Sequence, residues 1–266
     1  MSLKDLGRKI YQRLPDGAFR RHAAAFAYRR LYGEALAGCA VENGLLTVRT
    51  NDGVTIRSVR DFDPEALLAD FVECRLAPGA VVMDIGGNIG AATLYLAAQV
   101  GAAGLVVAYE PDAQNLDIFR RNLAVNGAPA QVQLVPKGIS DREGVLEFFA
   151  GGNYTSSLCK TEYVERAAQH YHVVQVPVTT LDAEAARLGL TRLDFIKMDI
   201  EGSEVAALKG GAATLQRFHP AIIVETHMVN GVSTAAEVEQ LLRGYGYRRL
   251  VRQHLAETPA IRATFA

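Results

Sequence analysis

The sequence predicts an α/β fold: a mostly parallel, Rossmann-like sheet of seven strands, covered by helices on both faces and ending in an antiparallel C-terminal pair. Two observations carry this expectation. From Ala80 onward, short and almost uninterrupted apolar runs alternate with helical patterns, as they do in strands buried on both faces. Beyond Gly246, Tyr247–Arg252 and Ala260–Phe265 read as two strands joined by a turn through Glu257, Thr258 and Pro259, with no helix between them.

The chain of 266 residues suits one large α/β domain, expected over residues 61–266, with an N-terminal extension of helix and β-ribbon over 1–60. Apolar residues make up 49% and charged residues 21%, without repeats or low-complexity tracts, so a packed core is expected. The formal net charge of -1 lacks the basic excess of a protein that grips phosphate backbones, and no nucleic-acid partner is expected. Cys39, Cys74 and Cys159 lie far apart with no CxxC pair, which suits reduced thiols rather than disulfides or zinc. With no signal-peptide core and no apolar stretch of transmembrane length, a cytoplasmic protein is expected.

The first thirty residues carry eight basic side chains against two acids. Their apolar spacing predicts two short amphipathic helices separated by Pro15-Asp16-Gly17, packed on the domain with solvated basic faces or touching an anionic membrane surface. A ribbon follows over Val41–Val59, with Asn51-Asp52-Gly53 as its turn, then a helix over Asp63–Leu76 stopped by Pro78-Gly79. The core alternation reads as strand Ala80–Ile85, helix Ala91–Gln99, strand Leu105–Tyr109, helix Ala113–Asn126 and strand Gln131–Val135. It resumes as strand Asp194–Met198, helix Glu204–Gln216 and strand Ala221–Glu225. Between the two halves, Val145–Phe149 and Val173–Val178 look like strands of an insertion. Since ligands of open α/β sheets lie outside the carboxyl ends of the strands, this insertion is placed over the active face as a substrate wall.

The first strand runs into Asp84-Ile85-Gly86-Gly87-Asn88-Ile89-Gly90. Glycines permit a sharp turn and close approach of backbone to ligand. A dinucleotide fingerprint asks for glycine where Asn88 and Ala91 stand, which disfavours the alternative of a nicotinamide oxidoreductase. The acid at the strand end suits the cationic amino-acid part of S-adenosylmethionine and would repel a pyrophosphate. Cofactor-binding candidates are therefore Asp84, Gly86, Asn88 and Gly90. Glu110, followed by Pro111, ends the next strand and suits the ribose hydroxyls, and Ser140 after the third strand is placed beside the adenine.

These strings, with Tyr154-Thr155-Ser156-Ser157-Leu158, Thr180-Leu181-Asp182, Phe195 through Glu204 and Val224-Glu225-Thr226-His227, resemble the FkbM family of methyltransferases over about residues 65 to 250. The resemblance implies a class I methyltransferase sheet, S-adenosylmethionine as methyl donor, and O-methylation of a sugar, glycolipid or natural-product hydroxyl. An alcohol is a weak nucleophile at neutral pH and calls for a base or a metal beside it. Asp199 is assigned to the cofactor amino group or to substrate orientation, and His227 to the general base, because the ordinary imidazole pKa lies near neutrality. Tyr154, Ser156 and Glu225 are placed on the acceptor side. Glu201 is read as a cap of the following helix, and Lys197 is given no catalytic role. Asp199 and Glu225 offer oxygen ligands, but without a clear third ligand no metal is expected. A non-catalytic module that keeps the fold remains the other reading.

Overall fold

The computed structural model describes residues 17–31, 36–62, 76–151, 156–159, 171–255 and 258–265. The first expected amphipathic helix, most of the helix expected over 63–76, Cys74 and Tyr154 lie outside the described residues. The second N-terminal helix is α1 (Ala18–Leu31). Two of its basic side chains are held against the chain, Arg20 on the Asp61 carboxylate (3.2 Å) and Arg21 on the Val59 carbonyl (3.1 Å). The expected ribbon has a third strand. β1 (Leu36–Glu42), β2 (Leu45–Thr50) and β3 (Thr55–Ser58) form an antiparallel sheet. Asn43 and Gly44, with φ of 50° and 78°, make the first hairpin turn, an Asn-Gly signal that the strand reading from Val41 passed over.

The main elements follow as β4 (Val81–Ile85), α2 (Ala91–Val100), β5 (Leu105–Tyr109), α3 (Ala113–Val125) and β6 (Val132–Val135). A small sheet comes next, β7 (Gly138–Ile139), β8 (Gly144–Ala150) and β9 (His172–Thr179), in the order β7-β9-β8. Then come α4 (Leu181–Arg187), β10 (Phe195–Met198), α5 (Glu204–Lys209), α6 (Ala212–Phe218) and β11 (Ala221–Glu225). The chain continues through the hairpin β12 (Met228–Val229) and β13 (Val232–Ser233), then α7 (Ala235–Gly244), β14 (Arg249–Leu255) and β15 (Thr258–Thr264).

The large sheet has seven strands in the order β14-β15-β11-β10-β4-β5-β6. Its strands pair in parallel from β11 through β6, and β15 runs antiparallel to both β11 and β14. The expected C-terminal pair is thus present, with Thr258 and Pro259 inside β15 rather than in the turn. Alternation sorts the strand side chains onto two cores. Val82, Val106, Phe195 and Ile223 pack with α2 and with Leu46, Val48 and Ile56 of the N-terminal sheet. Met83, Val107, Ile196, Ile222 and Val224 pack with Ala207, Leu208, Leu215 and Leu242 of the helices opposite.

The helix expected over Glu204–Gln216 is broken in two. A Cβ at Gly210 would lie 2.1 Å from the Ser140 carbonyl and one at Gly211 2.6 Å from the Leu181 side chain, so both glycines serve close packing at the break. The helix that restarts there is capped from α4, where the Asp182 carboxylate accepts the Thr214 and Ala213 N–H groups at 2.7 and 3.2 Å. Removing that cap with Asp182→Ala should cost about 1 kcal/mol and lower Tm by about 2–4 °C, which thermal unfolding will check.

Candidate active site

The order of strands reverses between β4 and β10, since the chain leaves β4 toward β5 and β6 and later returns on its other side. Carboxyl ends of strands flanking such a point form the binding crevice of open α/β sheets. A cleft of about 560 Å³, its open side included, lies there. Gly86, Asn88, Glu110, Pro111, Ser156 and Asp199, all expected from the sequence, are on its walls. Lys137, Gly138 and Ile139 complete the wall after β6, and Phe148 and Leu158 contribute from the inserted sheet.

Gly86 brings the two central strands together. Its φ is +84°, and a Cβ there would lie 1.9 Å from the Asp199 carbonyl oxygen. The Asp199 N–H in turn donates to the Ile85 carbonyl (3.0 Å), so the ends of β4 and β10 are locked edge to edge. Gly90 (φ +87°) backs onto Phe119, whose ring stands 2.3 Å from a would-be Cβ; it shapes the turn from behind the cleft.

Glu110 clamps the turn from β5. One carboxylate oxygen accepts the Asn88 N–H and the other the Asp112 N–H, each at 2.8 Å. Burial pushes its pKa to about 8, against the pull of those N–H donors and with the Asp112 charge adding to the rise. Ribose hydroxyls donating to the carboxylate favour its charged form, and Glu110 is already fully buried, so cofactor binding should expel its proton. Affinity for S-adenosylhomocysteine should therefore climb as pH rises toward 8, by up to about tenfold per unit, and level off above. Calorimetry in buffers of different ionisation enthalpy will show proton release at pH 7 if this holds. Glu110→Ala should abolish the release.

Asp84 is fully buried and does not reach the cleft wall. It shares the sheet face of Val82 and lies beneath α2, where Thr93 Oγ1 donates to Oδ2 (2.5 Å). Its partner across the parallel ladder is Lys197. The lysine ammonium stands 3.9 Å from Asp84 Oδ1 and 3.6 Å from Asp199 Oδ2, and donates to the Gly86 carbonyl at 3.2 Å. Lys197 therefore ties the glycine turn to both acids. Burial holds the Asp84 carboxyl above its ordinary range, opposed by Lys197 and Thr93.

Ser140 and Glu225, both expected to face a ligand, are not on the cleft wall. Ser140 is buried, with its N–H on the Thr179 carbonyl (2.9 Å), and the residues just before it form the wall instead. Glu225 is buried at the end of β11, away from the wall. The inserted sheet does close over the site. Ser156 Oγ donates to Asp112 Oδ2 (2.7 Å), the acid that also caps α3, and Ser157 Oγ donates to the Glu201 carbonyl (2.6 Å).

Glu201 lies on the cleft wall with φ of +50°, in a turn completed by Gly202, so it stands before α5 rather than capping it. Its side chain and that of Asp199 converge on His227. His227 Nε2 is 3.7 Å from Asp199 Oδ1 and 3.6 Å from Glu201 Oε2, while Nδ1 is 2.8 Å from Glu204 Oε1. Burial depresses the imidazole pKa, but the Glu204 hydrogen bond and the charges of Glu204, Glu201 and Asp199 outweigh it and raise the value to about 10. The ordinary pKa on which the sequence reading rested does not apply here. Burial, with Asp199 and Glu204, also lifts Glu201 to about 7 against the opposing pull of His227.

The cleft fits a nucleoside with a cationic amino-acid end: a carboxylate stands at the second strand end, another beside the glycine turn, and backbone lies open between them. Asn115 stands on the cleft wall, and its buried Oδ1 has no hydrogen-bond partner among the described residues, which is consistent with a polar ligand there. Sheet order and site together define a class I methyltransferase domain, whose cofactor is S-adenosylmethionine.

The chain belongs to the methyltransferase FkbM domain family, whose model matches residues 84–249. It is 30% identical over 217 residues to the AMB antimetabolite synthetase AmbE of Pseudomonas aeruginosa, covering 67% of this chain but only 10% of that protein. It is 28% identical to methyltransferase sdnD of Sordaria araneosa, over 62% of this chain and 73% of the relative. It is 25% identical to the 31-O-demethyl-FK506 methyltransferase FkbM of Streptomyces tacrolimicus, over 78% of this chain and 90% of the relative. Among solved structures, methyltransferase FkbM from Methylobacillus flagellatus KT superposes with a TM-score of 0.52 at 16% identity, covering 97% of this chain and 58% of that one, a likeness of fold. Among the described residues no helix is long and apolar enough to cross a membrane.

Proposed function

We propose that this protein transfers a methyl group from S-adenosylmethionine to a hydroxyl oxygen of a sugar, glycolipid or natural-product acceptor. The observation that carries this reading is the Asp199, Glu201 and His227 group, in which two of the three residues are also walls of the cofactor cleft. Similarity to a relative named for 31-O-demethyl-FK506 supports oxygen as the acceptor atom. The cofactor supplies an electrophilic methyl group. Asp84, with Lys197, and Glu110 hold the turn that receives it, Asp199 orients the acceptor, and Ser156 on the inserted sheet walls the acceptor side. The cofactor's positive charge opposes the charge on the imidazole, which lets His227 Nε2 take up the hydroxyl proton. Residues 61–266 are taken as the catalytic domain and 1–60 as its extension.

Incubation with isotopically labelled donor and a panel of sugars, glycolipids and polyketides, read by mass spectrometry, tests the reading. The expected result is an O-methyl product. Labelling only of nitrogen, or of nothing while S-adenosylhomocysteine binds, overturns it.

A further inference from the structure

We propose that Asp199, Glu201 and His227 Nε2 form a binding site for one divalent cation, which activates the acceptor hydroxyl. One ligand atom from each residue lies within 4.8 Å of the others. The separations of Nε2 from the two carboxylates, 3.7 and 3.6 Å, are too long for hydrogen bonds. They are close to the spacing of atoms that share an ion: ligands about 2.1 Å from a common centre stand about 3.0 Å apart in an octahedron and about 3.4 Å in a tetrahedron. Glu201, which the sequence reading did not count among the ligands, supplies the third one, and Glu225 is not part of the group.

A second observation points the same way. Glu204 is fully buried, and its Oε1 sits 2.8 Å from His227 Nδ1 while accepting the Gly202 N–H at 2.8 Å. A carboxylate only accepts, so Nδ1 carries a hydrogen, and the other edge of the ring is aimed at Asp199 and Glu201. Two carboxylates thus face Nε2 across one gap, and a divalent cation bound there would take the place of the ring proton that otherwise balances them. A buried acid that fixes the ring through Nδ1 and presents Nε2 to an ion is the arrangement by which proteins orient histidine ligands. The Lys197 ammonium, 3.6 Å from the other Asp199 oxygen and 3.9 Å from Asp84, balances part of this charge from the side of the glycine turn.

One imidazole and two carboxylates suit Mn²⁺, Mg²⁺ or Zn²⁺. Three protein ligands leave positions for the acceptor and for water, as in catalytic rather than structural sites. The inference rests on the acceptor seat given under Proposed function and replaces proton uptake at His227 with ligation. The cation polarises the acceptor O–H bond, and the proton leaves to solvent. The oxygen forms its bond to the methyl carbon as the sulfur–carbon bond breaks, with that electron pair remaining on sulfur.

The test is titration of MnCl₂ into chelator-treated full-length protein, followed by calorimetry and by electron paramagnetic resonance of free Mn²⁺. The expected result is one ion per chain, with affinity falling at least about tenfold in Glu201→Gln and His227→Gln and about 10–100-fold in Glu204→Gln. Glu237→Gln, an exposed acid paired with Lys209, should bind as the parent does. Retained S-adenosylhomocysteine binding by His227→Gln, whose side chain is not part of the cleft wall, shows that the variant is folded. Absence of stoichiometric binding, or equal binding by the three variants, overturns the site. O-methyl transfer that persists in excess chelator also overturns it while leaving the methyltransferase reading intact. Stoichiometric Mn²⁺ binding that is lost in the variants supports the site even if no hydroxyl acceptor is methylated.

Discussion

Gly86→Ala should lower affinity for S-adenosylhomocysteine by more than about a hundredfold and destabilise the fold by about 3 kcal/mol or more. Two separate effects add. Positive φ alone costs an L-residue about 1–2 kcal/mol. The larger effect is steric, because the new Cβ would sit 1.9 Å from the Asp199 carbonyl oxygen, and that oxygen belongs to backbone that cannot rotate away. To make room, the end of β10 must move off β4, which breaks the Asp199 N–H to Ile85 carbonyl bond and shifts the Asp199 side chain on the cleft wall. Gly127→Ala separates the two effects. Gly127 has nearly the same φ, +85°, but nothing within 4 Å of a would-be Cβ, so this variant should lose only the conformational cost and bind the ligand normally. Calorimetry of ligand binding and denaturant unfolding of both variants decide the matter. Equal affinities in the two would mean that the contact between β4 and β10 does not shape the cofactor site.

The same contact explains what could be read from the sequence. The strands of the parallel sheet, the glycine turn and Glu110 were legible because each is written in a continuous stretch: apolar runs of strand length, glycines at fixed offsets, an acid at a strand end. The role of Lys197 was not legible. It faces Asp84 only because β10 pairs with β4 in a register that sets residue 197 opposite residue 84, and no local pattern specifies that register. Asp84 was read as a cofactor contact for the related reason that alternation was not carried to the end of β4. The residue two before it, Val82, points into the core beneath α2, so Asp84 does too, and it meets Thr93 there. The break at Gly210-Gly211 was hidden because two glycines in a helical pattern do not announce what packs against them. α4 and α7 went unassigned although Thr180 does cap α4, its side chain accepting the Ala183 N–H.

The cluster on His227 belongs to the illegible part and is the chemically decisive one. Glu201 and Glu204 flank a turn whose first residue has positive φ, so the two side chains leave the backbone differently from residues three apart on a regular helix. One reaches Nε2 and the other Nδ1 of the same ring. The sequence reading saw a first-turn acid and a cap, the ordinary use of such residues.

Asp199→Asn should reduce turnover of the methyl-transfer reaction by about a thousandfold, within the range of effects for groups that orient or accept protons and stabilise charge at a reacting centre. The substitution preserves shape, so the Asp199 N–H bond to Ile85 and the close approach of Gly86 remain. What is lost is charge. One Asp199 oxygen lies 3.7 Å from His227 Nε2 and the other 3.6 Å from Lys197. An amide presents a donor where one of them had an acceptor. Lys197 retains Asp84 at 3.9 Å, so the glycine turn keeps its tie and affinity for S-adenosylhomocysteine should fall by less than about tenfold. A residue needed only for the fold would instead lower Tm and ligand affinity together. Steady-state turnover on whichever hydroxyl acceptor is labelled, measured beside calorimetric affinity, resolves the two; turnover within threefold of the parent would place the chemistry elsewhere in the cleft.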